Sequence, residues 1–129
     1  MNFGISENQK ILLDALARIL SDRVTISALR KLGNGSSLTL RDDLVSFGLF
    51  GLLVDGDFGG SELKAIDSVL VSERLGYFAT PTPYVGGMVL SLALRDADKV
   101  QQTKYLKQLS LGELRVALAA AEHCGAKES

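Results

Sequence analysis

The first candidate for ligand chemistry is an acidic, glycine-rich stretch at residues 55–60 (DGDFGG). Carboxylates at alternate positions before a glycine are typical of loops that bind Ca²⁺. Such a loop needs a bidentate glutamate at its twelfth position, which is Ile66 when the count starts at Asp55. No Lys-Ser or Lys-Thr pair follows the glycines, and two aspartates would repel a phosphate. The stretch therefore predicts a tight turn and no metal site.

Two further candidates for catalysis are weak. His123 and Cys124 have the types of a base and a nucleophile, but adjacent side chains rarely face each other and no third group orients the histidine. With one Cys and one His, the chain has neither a disulfide of its own nor a zinc site of several such ligands. Glu73 is a candidate carboxylate base, yet a lone glutamate beside Arg74 is more often solvated or ion-paired. We therefore predict no catalytic residue.

Two adjacent glycines stand inside a predicted helix. Gly86 and Gly87 each cost about 1 kcal/mol of helix stability relative to alanine. Such a cost indicates either close contact with another element or space left for a ligand. The sequence leaves both explanations open.

The elements that would position these residues are helical. Apolar residues at helical spacing, bounded by capping and stop signals, predict about six helices: residues 6–22, 25–32, 39–48, 61–77, 82–94 and 98–112. Residues 34–37 are a loop by composition, and the apolar run 49–54 is predicted to be an extended buried connection. Residues 114–121 suit either a helix or a strand. The predicted fold is an all-α bundle around one core.

Composition excludes several classes of function. A chain of 129 residues fits one domain, and 47% hydrophobic with 22% charged residues is typical of a folded protein. The 14 basic and 15 acidic residues leave no field that favours nucleic acid, and no predicted helix carries the basic stripe of a helix-turn-helix reader. We predict no nucleic-acid partner.

Residues 75–94 carry no charge, and a run of this length could span a bilayer. Pro81 and Pro83 break this run near its centre, so it predicts a loop followed by a buried helix. The N-terminus has no secretory signal, and a single Cys suits a reducing compartment. We therefore predict no membrane partner and a cytoplasmic location.

Four segments in order resemble the N-terminal helical domain of the flavin-dependent acyl-CoA dehydrogenase family. They span about residues 3–122 and comprise 47–54 (FGLFGLLV) followed by 58–60 (FGG), 71–76 (VSERLG), 79–83 (ATPTP), and 101–106 (QQTKYL) followed by 111–113 (LGE). The resemblance implies an orthogonal bundle of about six helices over residues 1–113. Residues 114–129 would begin the middle β domain or form a frayed tail.

The resemblance also implies an activity. Family members remove hydrogen from the α and β carbons of an acyl-CoA, pass a hydride to FAD and release a trans-2-enoyl-CoA. The base and most of the flavin site belong to the β domain and the C-terminal bundle, so this chain alone is predicted to be inactive. Expected partners are acyl-CoA, those remaining domains and, in the complete enzyme, further copies of it. The alternative is a non-catalytic helical module that binds a partner chain or an acyl group.

The site residues follow from the same resemblance. Gly86, Gly87, Leu90 and Ser91 match the stretch of the family that forms a wall of the acyl pocket, and small residues there would leave room for a long or bulky acyl group. Ala120, Ala121 and Glu122 stand where the family has a segment that helps to hold FAD. Ala121 replaces the family's threonine and His123 its proline.

Overall fold

The computed structural model describes residues 4–32 and 40–119, and within them the chain is helical. Six α-helices and two short 3₁₀ turns follow in order: α1 Glu7–Arg23, α2 Ile26–Leu32, α3 Leu40–Ser46, the turns Leu49–Gly51 and Gly56–Phe58, α4 Ala65–Tyr77, α5 Tyr84–Ala93 and α6 Lys99–Ser110. The described residues contain no strand, so the prediction of an all-α fold is confirmed. None of the helices in this part of the chain is long and apolar enough to cross a membrane.

The helix ends are where the sequence predicted them to within a few residues. The Ser6 hydroxyl accepts from the Gln9 backbone N–H at 3.3 Å, and the Gln9 side chain accepts from the Ser6 N–H, forming a capping box for α1. Asp98 caps α6 through the N–H of Gln101. After α3, Gly48 adopts φ 79°, a left-handed conformation that glycine reaches without steric cost. Residues 33–39, which include the predicted stop and loop before α3, lie outside the described residues.

The connection after α3 differs from the prediction. Residues 49–54 are buried as expected, but they form a compact turn and not an extended segment. The N–H of Gly51 donates to the Gly48 carbonyl and that of Val54 donates to the Gly51 carbonyl. The prediction of an extended connection was wrong because a short apolar run has the same composition in both conformations.

The core lies between α1, α3, α4 and α6, and the compact turn occupies its middle. The turn contacts α3, α5 and α6, while α1 packs on α4. Apolar side chains from each of these elements are removed from water: Leu13, Leu16, Leu20, Leu40, Leu44, Leu49, Phe50, Leu52, Val54, Val71, Leu75, Leu106 and Leu109. Burying each leucine or phenylalanine contributes about 1.5–3 kcal/mol, which makes this cluster the main source of stability.

The acidic stretch forms the predicted tight turn. Asp55 caps the Gly56–Phe58 turn, and Gly59 ends it with φ 80°. A Cβ on Gly60 would lie 2.0 Å from the Val54 carbonyl oxygen, so only glycine fits there. The described residues contain no cluster of three or more Asp, Glu, His or Cys suited to a metal. Helix α4 begins at Ala65, four residues later than predicted. The reason is that the backbone N–H groups of residues 61–63 donate hydrogen bonds to carbonyls of the compact turn at residues 49–54.

The chain after α6 crosses the bundle. Arg41 of α3 donates to the Gly112 carbonyl, which anchors the end of α6. Residues 114–119 are neither helix nor strand, and Leu114 and Val116 pack against the core. The backbone of Val116 passes over Gly86 of α5. The proposed division into residues 1–113 and 114–129 stays a prediction.

Candidate functional site

α5 carries all four residues predicted to contact an acyl group, and it has two distinct faces. Tyr84, Gly87 and Ser91 point into the domain and are buried. Val85 is 52% exposed and Leu92 is 37% exposed, although α5 contains no charged residue. A helix that is apolar on every side is normally buried on every side. Within the described residues, however, only its inner face is covered.

The inner face fixes α5 against α4 through a buried hydrogen bond. The Tyr84 hydroxyl lies 2.6 Å from the Ser68 Oγ, and neither side chain is accessible to solvent beyond 4%. Burial raises the pKa of Tyr84 above its usual 10.0, and the hydrogen bond with Ser68 offsets part of that rise. The phenol therefore stays neutral at physiological pH and acts as an anchor.

The two glycines of α5 are explained by packing inside the chain. A Cβ on Gly86 would lie 2.2 Å from the carbonyl oxygen of Val116, and one on Gly87 would lie 3.1 Å from Cδ1 of Leu109. Of the two explanations that the sequence left open, close contact accounts for Gly86, while Gly87 packs against the end of the Leu109 side chain. The space at Gly86 is taken by the chain itself, so its small size no longer argues for a roomy acyl pocket.

The structure brings the other two predicted residues to the same helix. Leu90 is half-buried against the core. Ser91 is 5% exposed, and its hydroxyl donates to the Gly87 carbonyl at 2.9 Å. Substrate contact by Gly86, Gly87, Leu90 and Ser91 stays a prediction, because their observed contacts are within the domain.

Residues that the sequence reasoning missed form the outer face of α5. Val85, Val89 and Leu92 follow one another at i, i+4 and i+7, which places them on one side of the helix. The sequence could have predicted this face, because a helix without charged residues that is buried on one side must expose apolar side chains on the other. The neighbouring α4 likewise leaves large apolar side chains exposed: Ile66, Val69 and Tyr77.

The remaining candidates contribute little to this surface. Glu73 is exposed on α4 and forms no ion pair with any described residue, as expected for a solvated side chain. His123 and Cys124 lie outside the described residues. So do Ala120, Ala121 and Glu122, the predicted flavin contacts. The described residues just before them, 117–119, are exposed Ala, Leu and Ala, which carry no polar side-chain group.

Comparison with known proteins agrees with this architecture. The family model described as "Acyl-CoA dehydrogenase, N-terminal domain" matches residues 6–113. Isovaleryl-CoA dehydrogenase, mitochondrial, of Bos taurus is 27% identical over 126 residues, which cover 92% of this chain and 30% of the relative. The protein of the same name from Pongo abelii matches with the same identity and coverage. The chain thus spans about 30% of the length of these relatives. With most of its length matched by the family model, the chain belongs to the acyl-CoA dehydrogenase family and corresponds to its N-terminal helical domain.

Proposed function

We propose that this chain serves as the N-terminal domain of a flavin-dependent enzyme that oxidises an acyl-CoA to the trans-2-enoyl-CoA. The observation that carries the proposal is the uncharged, outward apolar face of α5, Val85, Val89 and Leu92, in a chain of this family. An apolar face of this kind suits one wall of a pocket for an acyl group, because burying it against a hydrocarbon chain removes both from water.

The domain's own residues would bind and position the acyl group and would exclude water from it. The Tyr84–Ser68 hydrogen bond and the packing at Gly86 and Gly87 fix the position of α5 against the rest of the domain. Its outer side chains therefore present a rigid surface. A rigid apolar wall orients the acyl chain and keeps water from the reacting carbons. FAD, bound mainly by the remaining domains, would accept the hydride.

The first substrate to examine is a short branched acyl-CoA. The relatives from Bos taurus and Pongo abelii are named for isovaleryl-CoA. The outer face of α5 carries branched aliphatic side chains and no glycine, which suits a compact acyl group better than a long one. The remaining domains and further copies of the enzyme are proposed partners, and the cytoplasmic location stays a prediction.

The test uses the full-length protein that carries this domain. Its flavin absorbance is recorded before and after isovaleryl-CoA is added, and we expect bleaching of the visible band. Val85→Phe should lower kcat/KM for isovaleryl-CoA by roughly tenfold or more, because overpacking a pocket wall displaces the substrate. Val100→Phe on α6 is the matched control, since Val100 is 78% exposed and outside α5.

Two results would contradict the proposal. A colourless full-length protein would favour the alternative, a non-catalytic helical module that binds a partner or an acyl group. Equal kinetics for Val85→Phe and Val100→Phe would mean that the outer face of α5 does not line the acyl pocket.

A further inference from the structure

The exposed side of α4 carries a row of residues that the described chain leaves largely in solvent. Ile66 and Val69 are each 55% exposed, and Tyr77 is 79% exposed. Together with Glu73 they follow one another at i, i+3, i+7 and i+11, which places all four on one side of the helix. We call this row the α4 stripe.

The opposite side of α4 already has its partners. Ser68, Val71 and Leu75 are buried there, and the helix packs on α1 and α5. The α4 stripe therefore contributes little to the packing of this domain. Exposed apolar side chains grouped in this way mark an interaction surface.

The α4 stripe adjoins the outer face of α5. A cavity of about 220 Å³ lies between the two helices, and its lining includes Gly76 of α4 and Val85 of the outer face. Gly76 is exposed and follows Glu73 at i+3, so it lies beside the stripe. A partner that packs against the outer face of α5 would therefore also reach α4.

The length of the relatives and the charge of Glu73 point to the partner. This chain spans 30% of the relatives it matches, so most of a complete enzyme of the family lies outside it. A second copy of the chain fits the stripe poorly, because a two-fold axis would bring Glu73 close to Glu73 of the other copy, and like charges repel. Glu73 has no ion pair among the described residues, so a cation on another surface suits it.

We propose that the remaining domains of the enzyme dock on the α4 stripe through an apolar face that carries an arginine or a lysine opposite Glu73. Burying Ile66, Val69 and Tyr77 against that face removes them from water, and the cation pairs with Glu73 within the contact. The proposal rests on the proposed role of this chain as a domain of a larger enzyme, but not on the flavin or on any particular acyl-CoA.

The test introduces a thiol on the stripe of two proteins, the 129-residue chain and the full-length protein that carries this domain. Val69→Cys is treated with a maleimide, and mass spectrometry follows the peptide that contains position 69. We expect labelling to be about tenfold or more slower in the full-length protein, because the docked surface must open before the thiol reacts. Val71→Cys is the matched control on the same helix, since Val71 is 0% exposed and should be protected in both proteins.

A charge reversal tests the chemistry of the partner face. In the full-length protein with Val69→Cys, Glu73→Lys should speed labelling by roughly threefold or more, because it places like charges across the contact. Asp14→Lys makes the same change of charge at an exposed position of α1 and should leave the rate unchanged. Circular dichroism shows whether each variant folds, and Ile66→Cys replaces Val69→Cys if that variant does not.

Equal labelling of Val69→Cys in the two proteins would overturn the proposal. Protection that grows with the concentration of the 129-residue chain would do so as well, because a second copy would then cover the stripe. Equal rates for Glu73→Lys and Asp14→Lys would disprove the cation opposite Glu73. Labelling is measured without flavin absorbance or acyl-CoA, so failure of docking and failure of the proposed activity are seen separately.

Discussion

Replacing Gly86 by alanine tests how the end of the described chain packs on α5. The new Cβ would lie 2.2 Å from the Val116 carbonyl oxygen and 2.8 Å from its carbonyl carbon. Neither distance is tolerated between non-bonded atoms, and both of these Val116 atoms are backbone atoms that cannot rotate away. The crossing segment must therefore shift, which weakens the packing of Leu114 and Val116 against the core.

The expected magnitude follows from two opposing effects. Alanine gains about 1 kcal/mol over glycine in a helix. Overpacking a filled site costs about 1–3 kcal/mol, and two half-buried aliphatic side chains lose a further 1–3 kcal/mol or so if the segment detaches. We expect Gly86→Ala to lower the free energy of unfolding by about 1–5 kcal/mol, which is the two costs less the gain in helix propensity.

The assay is urea unfolding followed by circular dichroism in the far ultraviolet, because the chain has no tryptophan. Gly76→Ala on α4 is the matched control, since no described atom beyond its neighbours lies within 4 Å of a Cβ there. It should stabilise the protein by up to about 1 kcal/mol. In a chain shortened to residues 1–113, Gly86→Ala should become stabilising as well. A Gly86→Ala protein as stable as Gly76→Ala in the full chain would refute the close contact with Val116.

Three further variants probe single features by the same unfolding assay. Ala79→Gly should stabilise the protein by about 0.5–1 kcal/mol, because Ala79, two residues after the end of α4, has φ 50°, where glycine is unstrained; a loss of stability would contradict this. Gly60→Ala should cost about 3 kcal/mol or more, since its Cβ meets the Val54 carbonyl at 2.0 Å, and an unchanged urea midpoint would disprove that contact. Tyr84→Phe should cost about 1–3 kcal/mol by leaving the buried Ser68 hydroxyl without its partner. Because the folded protein raises the Tyr84 pKa, wild-type stability should fall as the pH rises above 10.0, and this fall should be smaller in Tyr84→Phe.

Features that depend on residues only a few positions apart could be predicted from the sequence. The Ser6 and Asp98 caps each use a backbone N–H three residues further on, so composition and spacing suffice to predict them. The same holds for the stop at Gly48. The family resemblance rested on short motifs in order, and the match over residues 6–113 confirms it.

Features that depend on distant partners were decided by the tertiary structure. The turn at residues 49–54 is compact because α3, α5 and α6 surround it. The apolar residues of the turn do not by themselves indicate these contacts. Gly86 is small because a backbone 30 positions later crosses it.

The clearest division falls within α5. Its sequence determined that it is a helix without charged residues, and that apolar side chains of this helix must be buried against other elements. Only the packing of α4, α6 and the crossing segment decided that Tyr84, Gly87 and Ser91 face inward while Val85 and Leu92 face out. The physical reason is that a helix apolar on all sides has no preferred orientation of its own, so contacts made far along the chain choose which face is covered.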